Sequence, residues 1–335
     1  MASSHPTIID VARRAGVSKS LVSMVMRGAP NVGVERRARV LAAAEELGYR
    51  PNAVARSLVR QRTNLFGILL SDLHNPYFTE VVDGIEESAF SAEYRALITS
   101  GGRQPAGEAR AMDTLLQLRV DGLILAGTVL DSRSIRNAAR TCPVVLVARA
   151  TRAAGVDSVV NDDRAGAGMA VDHLRALGHT RITHVDGGVG AGAASRRSGF
   201  LGAMRRHGLE RSARVVPGDF TEAGGAAGVK AVLVAGDLPT AVFVSNDLAA
   251  IGALHAFEDA GLAVPEDISL VGYDNTALAA LGHIGLTTID QPRHEMGRTG
   301  VELLLERVEA GRTAPRHLVI APRLVVRRTT APPRG

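Results

Sequence analysis

Thr7-Ile-Ile-Asp-Val-Ala-Arg-Arg-Ala-Gly-Val-Ser-Lys-Ser-Leu-Val-Ser-Met-Val-Met-Arg27 reads as two short helices joined by a tight turn. Thr7 is a good N-cap, and Asp10 falls in the first turn, where a carboxylate suits the helix dipole. Ile8, Val11 and Ala12 share one face at helical spacing. Gly16 supplies the turn, because glycine reaches left-handed backbone angles that a side chain resists. Ser18 then caps a second helix that is expected to bury Leu21, Val22 and Val25. Lys19, Ser20 and Ser23 remain outward at its N-terminus, and such short polar groups suit phosphates and base edges in a major groove. A third helix, about Val34 to Leu47, is expected to bury Val40, Leu41, Ala44 and Leu47 and to stop at Gly48.

A small helical bundle of this kind can be purely structural, and charge speaks against that. Up to Arg62 there are eleven basic residues and four acidic ones, although the 335-residue chain carries only +5 overall. A basic head on a slightly acidic body fits a polyanion partner. Hydrophobic content of 46% is ample for globular cores, and the length calls for two or three domains. Cys142 is the only cysteine, which leaves no disulfide framework or thiolate cluster. No run is apolar and long enough for a membrane, and no signal peptide opens the chain. A cytoplasmic address is expected, nucleoid-associated when on DNA.

Beyond the third helix, Pro51 disfavours helix at Arg50. Asn52 to Arg60 could form two helical turns, too short to be stable alone in water and hence a candidate for folding on binding. From Leu65 short apolar runs alternate with helical stretches. Runs at Phe66–Leu70, Tyr94–Ile98, Gly122–Leu125 and Val144–Val147 frame helices at Tyr77–Phe90 and Glu108–Leu118. A second set has runs at Arg181–Val185, Ala241–Val244 and Ser269–Val271. Its helices fall near Ala165–Leu177, Ser195–His207, Glu222–Val234 and Leu248–Ala260. Such alternation predicts two doubly wound parallel-sheet lobes, whose ligands lie beyond the carboxyl ends of the strands. At those ends stand Tyr77 and Phe78, Asn161-Asp162-Asp163, Arg196, Asp219-Phe220, Asn246-Asp247 and Asp274-Asn275. Each alone reads as a cap, turn or core residue; their recurrence points to a shared polar cleft.

The pattern Asp10-Val-Ala-x-x-Ala-Gly-Val-Ser18 resembles the DNA-reading head of the lactose/galactose-repressor family of transcription factors. Later blocks resemble the family in the expected order: Asn75-Pro-Tyr-Phe78, His173-Leu-x-x-Leu-Gly-His179, Arg196-x-x-Gly-Phe200, Ser245-Asn-Asp247, Ile268 to Asp274 and Thr287 to Pro292. The resemblance implies an all-α helix-turn-helix head (1–50), a hinge helix (51–62) and a periplasmic-binding-protein-like core (63–330). The core would divide into one lobe of about 63–163 and 292–322 and another of about 164–291 and 323–330, with crossovers near Asp163, Gln291 and Arg323. It implies DNA contacts at Thr7, Ser18, Lys19, Ser20, Ser23, Met24, Arg27 and Asn31, and at Asn52, Ala55 and Leu58 of the hinge, where Leu58 would wedge into the minor groove. It implies an effector cleft lined by Tyr77, Phe78, Asp162, Arg196, Phe220, Asn246 and Asp274.

The sequence departs from the family at Met24 and Arg27, where arginine and asparagine are common, and at Ala148-Arg149, where Asp-Arg is usual. Met24 cannot make a bidentate contact to guanine. The C-terminus has no leucine heptad, so a dimer is expected without a tetramerising tail. Gly188-Val-Gly190-Ala-Gly-Ala193 fits the loose dinucleotide fingerprint, but it lies mid-chain among extra small residues, and no cofactor is expected. His173, His179 and His184 are expected to cap helices or lie on the surface, with no metal between them. The expected function is a pseudo-palindrome-binding dimeric repressor with a small-molecule effector. A sugar is the first reading for that effector and a purine or nucleoside the second. A stand-alone carrier would need an export signal, and an enzyme would need a reacting constellation, which the sequence does not offer.

Overall fold

The computed structural model describes residues 6–50 and 62–334, in two compact units that divide after Thr63. The first unit holds α1 (Ile8–Ala15), α2 (Lys19–Met26) and α3 (Val34–Glu46). Thr7 and Asp10 form a reciprocal capping box on α1, which satisfies two otherwise orphaned backbone donors. Gly16 ends that helix at φ +65°, and Ser18 accepts a hydrogen bond from the Leu21 amide at 3.2 Å to begin the next. Val11, Val22, Val25, Val40 and Ala44 make the common core. Leu41, expected inside, is 48% exposed. Ala43 is buried in its stead, because the inward stripe of α3 runs through Val40, Ala43, Ala44 and Leu47 at i, i+3, i+4 and i+7, and Leu41 lies beside it.

The second unit contains twelve strands among the described residues. In the first lobe β1 (Leu65–Leu70), β2 (Arg95–Ser100), β3 (Gly122–Ala126), β4 (Val144–Val147), β5 (Val156–Asn161) and β11 (His317–Ile320) form one parallel sheet in the order β11-β5-β4-β3-β1-β2. Around it lie α4 (Tyr77–Ser91), α5 (Pro105–Gln117), α6 (Ser132–Ala139) and α11 (Arg293–Val308). The central strands β3 and β4 are buried along their whole length, as a sheet covered on both faces requires. α4 and α11 pack backbone to backbone: a Cβ at Gly84 would lie 2.1 Å from the His294 carbonyl oxygen, and one at Gly297 2.1 Å from that of Val81.

The second lobe holds β6 (Ile182–Val185), β7 (Ala213–Val216), β8 (Ala241–Val244) and β9 (Ser269–Val271), parallel in the order β7-β6-β8-β9. Its helices are α7 (Asp163–Ala176), α8 (Ala193–Arg206), α9 (Glu222–Val234) and α10 (Asp247–Asp259). Two short strands that escaped the sequence reading, β10 (Thr288–Asp290) and β12 (Arg323–Val325), pair antiparallel between the lobes. The chain passes between lobes three times: from β5 into α7, from β10 into α11, and from β11 into β12. At the base of the first lobe Asp157, fully buried, accepts hydrogen bonds from Arg307 Nε (2.7 Å) and Nη2 (2.8 Å), from Arg312 Nη2 (2.6 Å) and from the Arg316 amide (2.7 Å). This cluster ties β5 to the end of α11 and the start of β11.

Candidate DNA interface and effector cleft

On the head, α2 presents Lys19 and Ser20 to solvent from its first turn, with Ser23 half-buried one turn on. The Ser18 oxygen is engaged as an acceptor in its cap, which leaves the hydroxyl proton to donate outward. Thr7 is different: its hydroxyl donates to Asp10 Oδ2 at 2.7 Å while accepting from the Asp10 amide. Thr7 therefore serves the cap, and its hydroxyl proton is not free for a phosphate. Met24 is half-buried against the head's apolar core. Arg27 and Asn31 are exposed, and Arg27 Nε donates to the Ser23 carbonyl at 3.1 Å. Arg14 is paired with Glu46 at 2.6 Å, and Lys19, Arg27, Arg36 and Arg39 are exposed. Asn52, Ala55 and Leu58 lie outside the described residues.

In the second unit a cavity with about 750 Å³ of non-protein space, part of it open to solvent, lies at the carboxyl ends of the strands of both lobes. Tyr77, Phe78, Arg196, Phe220, Asn246 and Asp274 all line it. Tyr77 and Phe78 meet edge to face at 5.1 Å and belong both to the cavity wall and to the core beneath α4. Arg196, fixed on the first turn of α8, donates from Nε to Asp163 at 2.9 Å and from Nη1 to the Ser245 carbonyl at 2.5 Å. Its guanidinium lies 3.8 Å above the Tyr273 ring and 3.6 Å from Asp274 Oδ1. Burial alone would weaken that cation, but Asp163 and Asp274 hold it fully charged. Asp274 sits at φ +114°, braced by Gln291 Nε2 at 2.5 Å. Its carboxyl is raised by burial, against the pull of Arg196 and with the push of Asp247.

The comparisons with known proteins agree with this geometry. The model of bacterial regulatory proteins of the lacI family matches residues 7–52, and that of the periplasmic-binding-protein-like domain matches residues 171–330. The HTH-type transcriptional repressor PurR of Serratia proteamaculans (strain 568) is 35% identical over 336 residues, 97% of each chain. The chain belongs to the LacI family. Among solved structures, the lac repressor dimer bound to operator and the anti-inducer ONPF superposes with a TM-score of 0.86 at 31% identity, over 98% of this chain and 100% of that one. The complex of the transcriptional regulator CelR with cellobiose gives a TM-score of 0.72 at 29% identity, over 97% and 99%. This LacI-family chain is a DNA-binding transcriptional repressor. No helix among the described residues is long and apolar enough to cross a membrane.

Within the LacI-family cleft several expectations need correction. Asp162 does not line the cavity; its side chain caps α7 by accepting from the Ala165 amide at 2.9 Å. Asp163, one residue on, takes the cleft position and holds Arg196. Asn246 lines the cavity, but its Oδ1 caps α10 at the Ala249 amide and its Nδ2 donates to the Phe220 carbonyl, so it is not a free acceptor. Asp219 and Phe220 follow β7 only after an intervening Pro-Gly. The glycine-rich run after β6 is a seat for an aromatic ring: a Cβ at Gly187 or Gly190 would come within 2.5 or 2.3 Å of Phe220. Close approach to Phe220 therefore explains Gly190 of the run that read as a nucleotide fingerprint, whereas Gly188 and Gly192 stand at φ +64° and +83°. His179 and His184 are buried. His179 bridges Thr240 and the Ala331 carbonyl, His173 contacts Thr330, and His184 stacks on Phe243, with burial pushing its pKa down to about 4. Arg149 donates to the Thr128 and Leu130 carbonyls, while Ala148 lines the cavity.

Reading the sequence missed Arg103 and Gln291 as cavity residues, and Tyr273 as the ring beneath Arg196, whereas Asn161 belongs to a strand-end run that the sequence pointed to. Arg103 follows β2, so the same strand-end rule would have found it. Asn161 donates to the Tyr273 hydroxyl at 2.7 Å, and its Oδ1 is buried without a hydrogen-bond partner.

Proposed function

We propose that this repressor is controlled by a sugar held in the interlobe cavity, with Arg196, Asp274, Tyr77, Phe78, Phe220 and Asn246 as the effector-binding residues and Asp163 added to them. The observation that carries this reading is the convergence of strand ends from both sheets on one cavity. There a fixed guanidinium, several carboxylates and three aromatic rings face the same space. Flat apolar faces beside hydroxyl-reading groups are what a sugar ring asks of its site. The CelR relative is in complex with cellobiose, which supports the same class. A purine or nucleoside is the second reading, favoured by the ring of Phe220 beside the cavity and by the resemblance to PurR.

In this proposal residues 1–50 read DNA, 51–62 form the hinge, and 63–330 bind effector and dimerise. Ser18, Lys19, Ser20, Ser23, Met24, Arg27 and Asn31 face DNA, with Asn52, Ala55 and Leu58 completing the contact. The protein performs no catalysis and works in the cytoplasm at the nucleoid. A ligand that prefers one closure of the lobes shifts the hinge, and only such a differential affinity makes the coupling allosteric. Leu58→Ala is expected to weaken specific duplex binding at least tenfold while leaving non-specific binding within a factor of about two, as expected for loss of a groove wedge with phosphate contacts retained. Fluorescence anisotropy on both duplexes checks this, and equal losses on the two would remove the hinge role.

A further inference from the structure

Among the described residues two arginines line the cavity, and both are already paired with carboxylates. Arg196 has Asp163 at 2.9 Å and Asp274 at 3.6 Å, two carboxylates around one guanidinium. Arg103, on the segment after β2, reaches across to the other lobe and pairs with Asp219 at 3.1 Å. The Asp219 carboxylate is oriented for this pairing by its neighbour. Its Oδ1 accepts from the Thr221 amide at 2.8 Å and the Thr221 hydroxyl at 2.5 Å, so Oδ2 is the oxygen that meets Arg103. The same wall carries more acceptors than cations. Beyond the two carboxylates that hold Arg196, Asp72 also lines the wall, and the buried Asn161 Oδ1 has no hydrogen-bond partner. A phosphate ester brings only acceptors and negative charge to such a wall, whereas hydroxyl groups bring the donors it lacks.

Resting on the reading of the cleft as the effector site, we infer that this cleft selects uncharged, hydroxyl-rich ligands and rejects phosphate esters, with the Arg103–Asp219 pair as its specificity determinant. Asp219 removes from the cavity the one guanidinium that reaches in from the first lobe. Asp219→Asn keeps the oxygen that binds Thr221 and deletes the charge, which releases Arg103 toward an incoming anion.

The experiment is thermal denaturation of the full chain titrated with ribose 5-phosphate and glucose 6-phosphate against potassium chloride at equal ionic strength. Stabilisation is read as ligand affinity. Wild type is expected to show no rise beyond the salt control. Asp219→Asn is expected to bind the phosphate esters at least tenfold more tightly than wild type, and adding Arg103→Ala to Asp219→Asn is expected to abolish the gain. Stabilisation of wild type by either ester, lost in Arg103→Ala, would overturn the proposal. So would an Asp219→Asn chain that gains nothing, or a gain that survives removal of Arg103. The melting temperature of each variant in salt alone establishes that it is folded. Free sugars titrated against duplex binding test the effector reading itself, and a negative result there leaves the charge selection standing or falling on its own titration.

Discussion

Replacing Arg196 by alanine abolishes effector-induced stabilisation of the core and lowers its unliganded stability by about 3 kcal/mol or more, as removing one partner of a buried ion pair does. The guanidinium is buried between Asp163, Asp274, the Ser245 carbonyl and the face of Tyr273. Its loss strands the buried Asp274, whose carboxyl already sits above the usual carboxylate range, and the largely buried Asp163. Arg196→Lys separates charge from geometry: an ammonium neutralises a carboxylate but cannot span Asp163 and the Ser245 carbonyl at once with a planar fork. The lysine variant is therefore expected to recover much of the stability and little of the effector response. In wild type a ligand at a hundred times its dissociation constant adds about 2.7 kcal/mol, so thermal shifts of the three proteins resolve the difference. An alanine variant that keeps both its melting temperature and its ligand shift would show that Arg196 is peripheral.

Asp157→Ala is expected to destabilise the first lobe by about 3 kcal/mol, the lower end for breaking a buried ion cluster. The lower end applies because Arg312 keeps Glu306 at 2.7 Å and the Leu303 carbonyl at 3.0 Å. Arg307 loses both of its carboxylate bonds and retains only a 3.4 Å contact to the Thr313 carbonyl. Burial acts to raise the Asp157 carboxyl, but hydrogen bonds from Arg307, Arg312 and the Arg316 amide outweigh it and hold the group at about 2. The folded-state value thus lies below the ordinary 3.8. Its contribution to stability is complete above about pH 4 and is lost as pH falls toward 2. Urea denaturation at pH 7 and pH 3 checks both points: the gap between wild type and Asp157→Ala should be wide at the first and narrower at the second. An equal gap would mean that Asp157 acts through packing alone.

The head was legible in the sequence because its signals are local. A capping box, a left-handed glycine and a second cap within twelve residues leave the chain few alternatives. The parallel strands were legible for a related reason: strands buried on both faces are short and apolar from end to end, as Val144–Val147 and Ala241–Val244 are. β10 and β12, three residues each and paired across distant parts of the chain, offer no such pattern. In the cleft, residue type located the site but did not assign the roles. Asp162 and Asp163 are the same residue in adjacent positions, and only the helix start decides which one caps and which one turns inward. Asn246 is a good cap and a cavity residue at once, and its amide serves the backbone on both sides. Arg103 follows a strand end as the others do, but its pairing with Asp219, 116 residues away, has no local signal.

Selection from a pool of random duplexes with the 335-residue chain tests most directly whether two copies of its basic head read inverted half-sites. Enrichment of a pseudo-palindrome, with weakened recovery of its outer bases in Lys19→Ala and Ser20→Ala, is the predicted result, because a two-fold protein matches two-fold DNA. Retention of all sequences alike, or enrichment of a site without inverted symmetry, would contradict it.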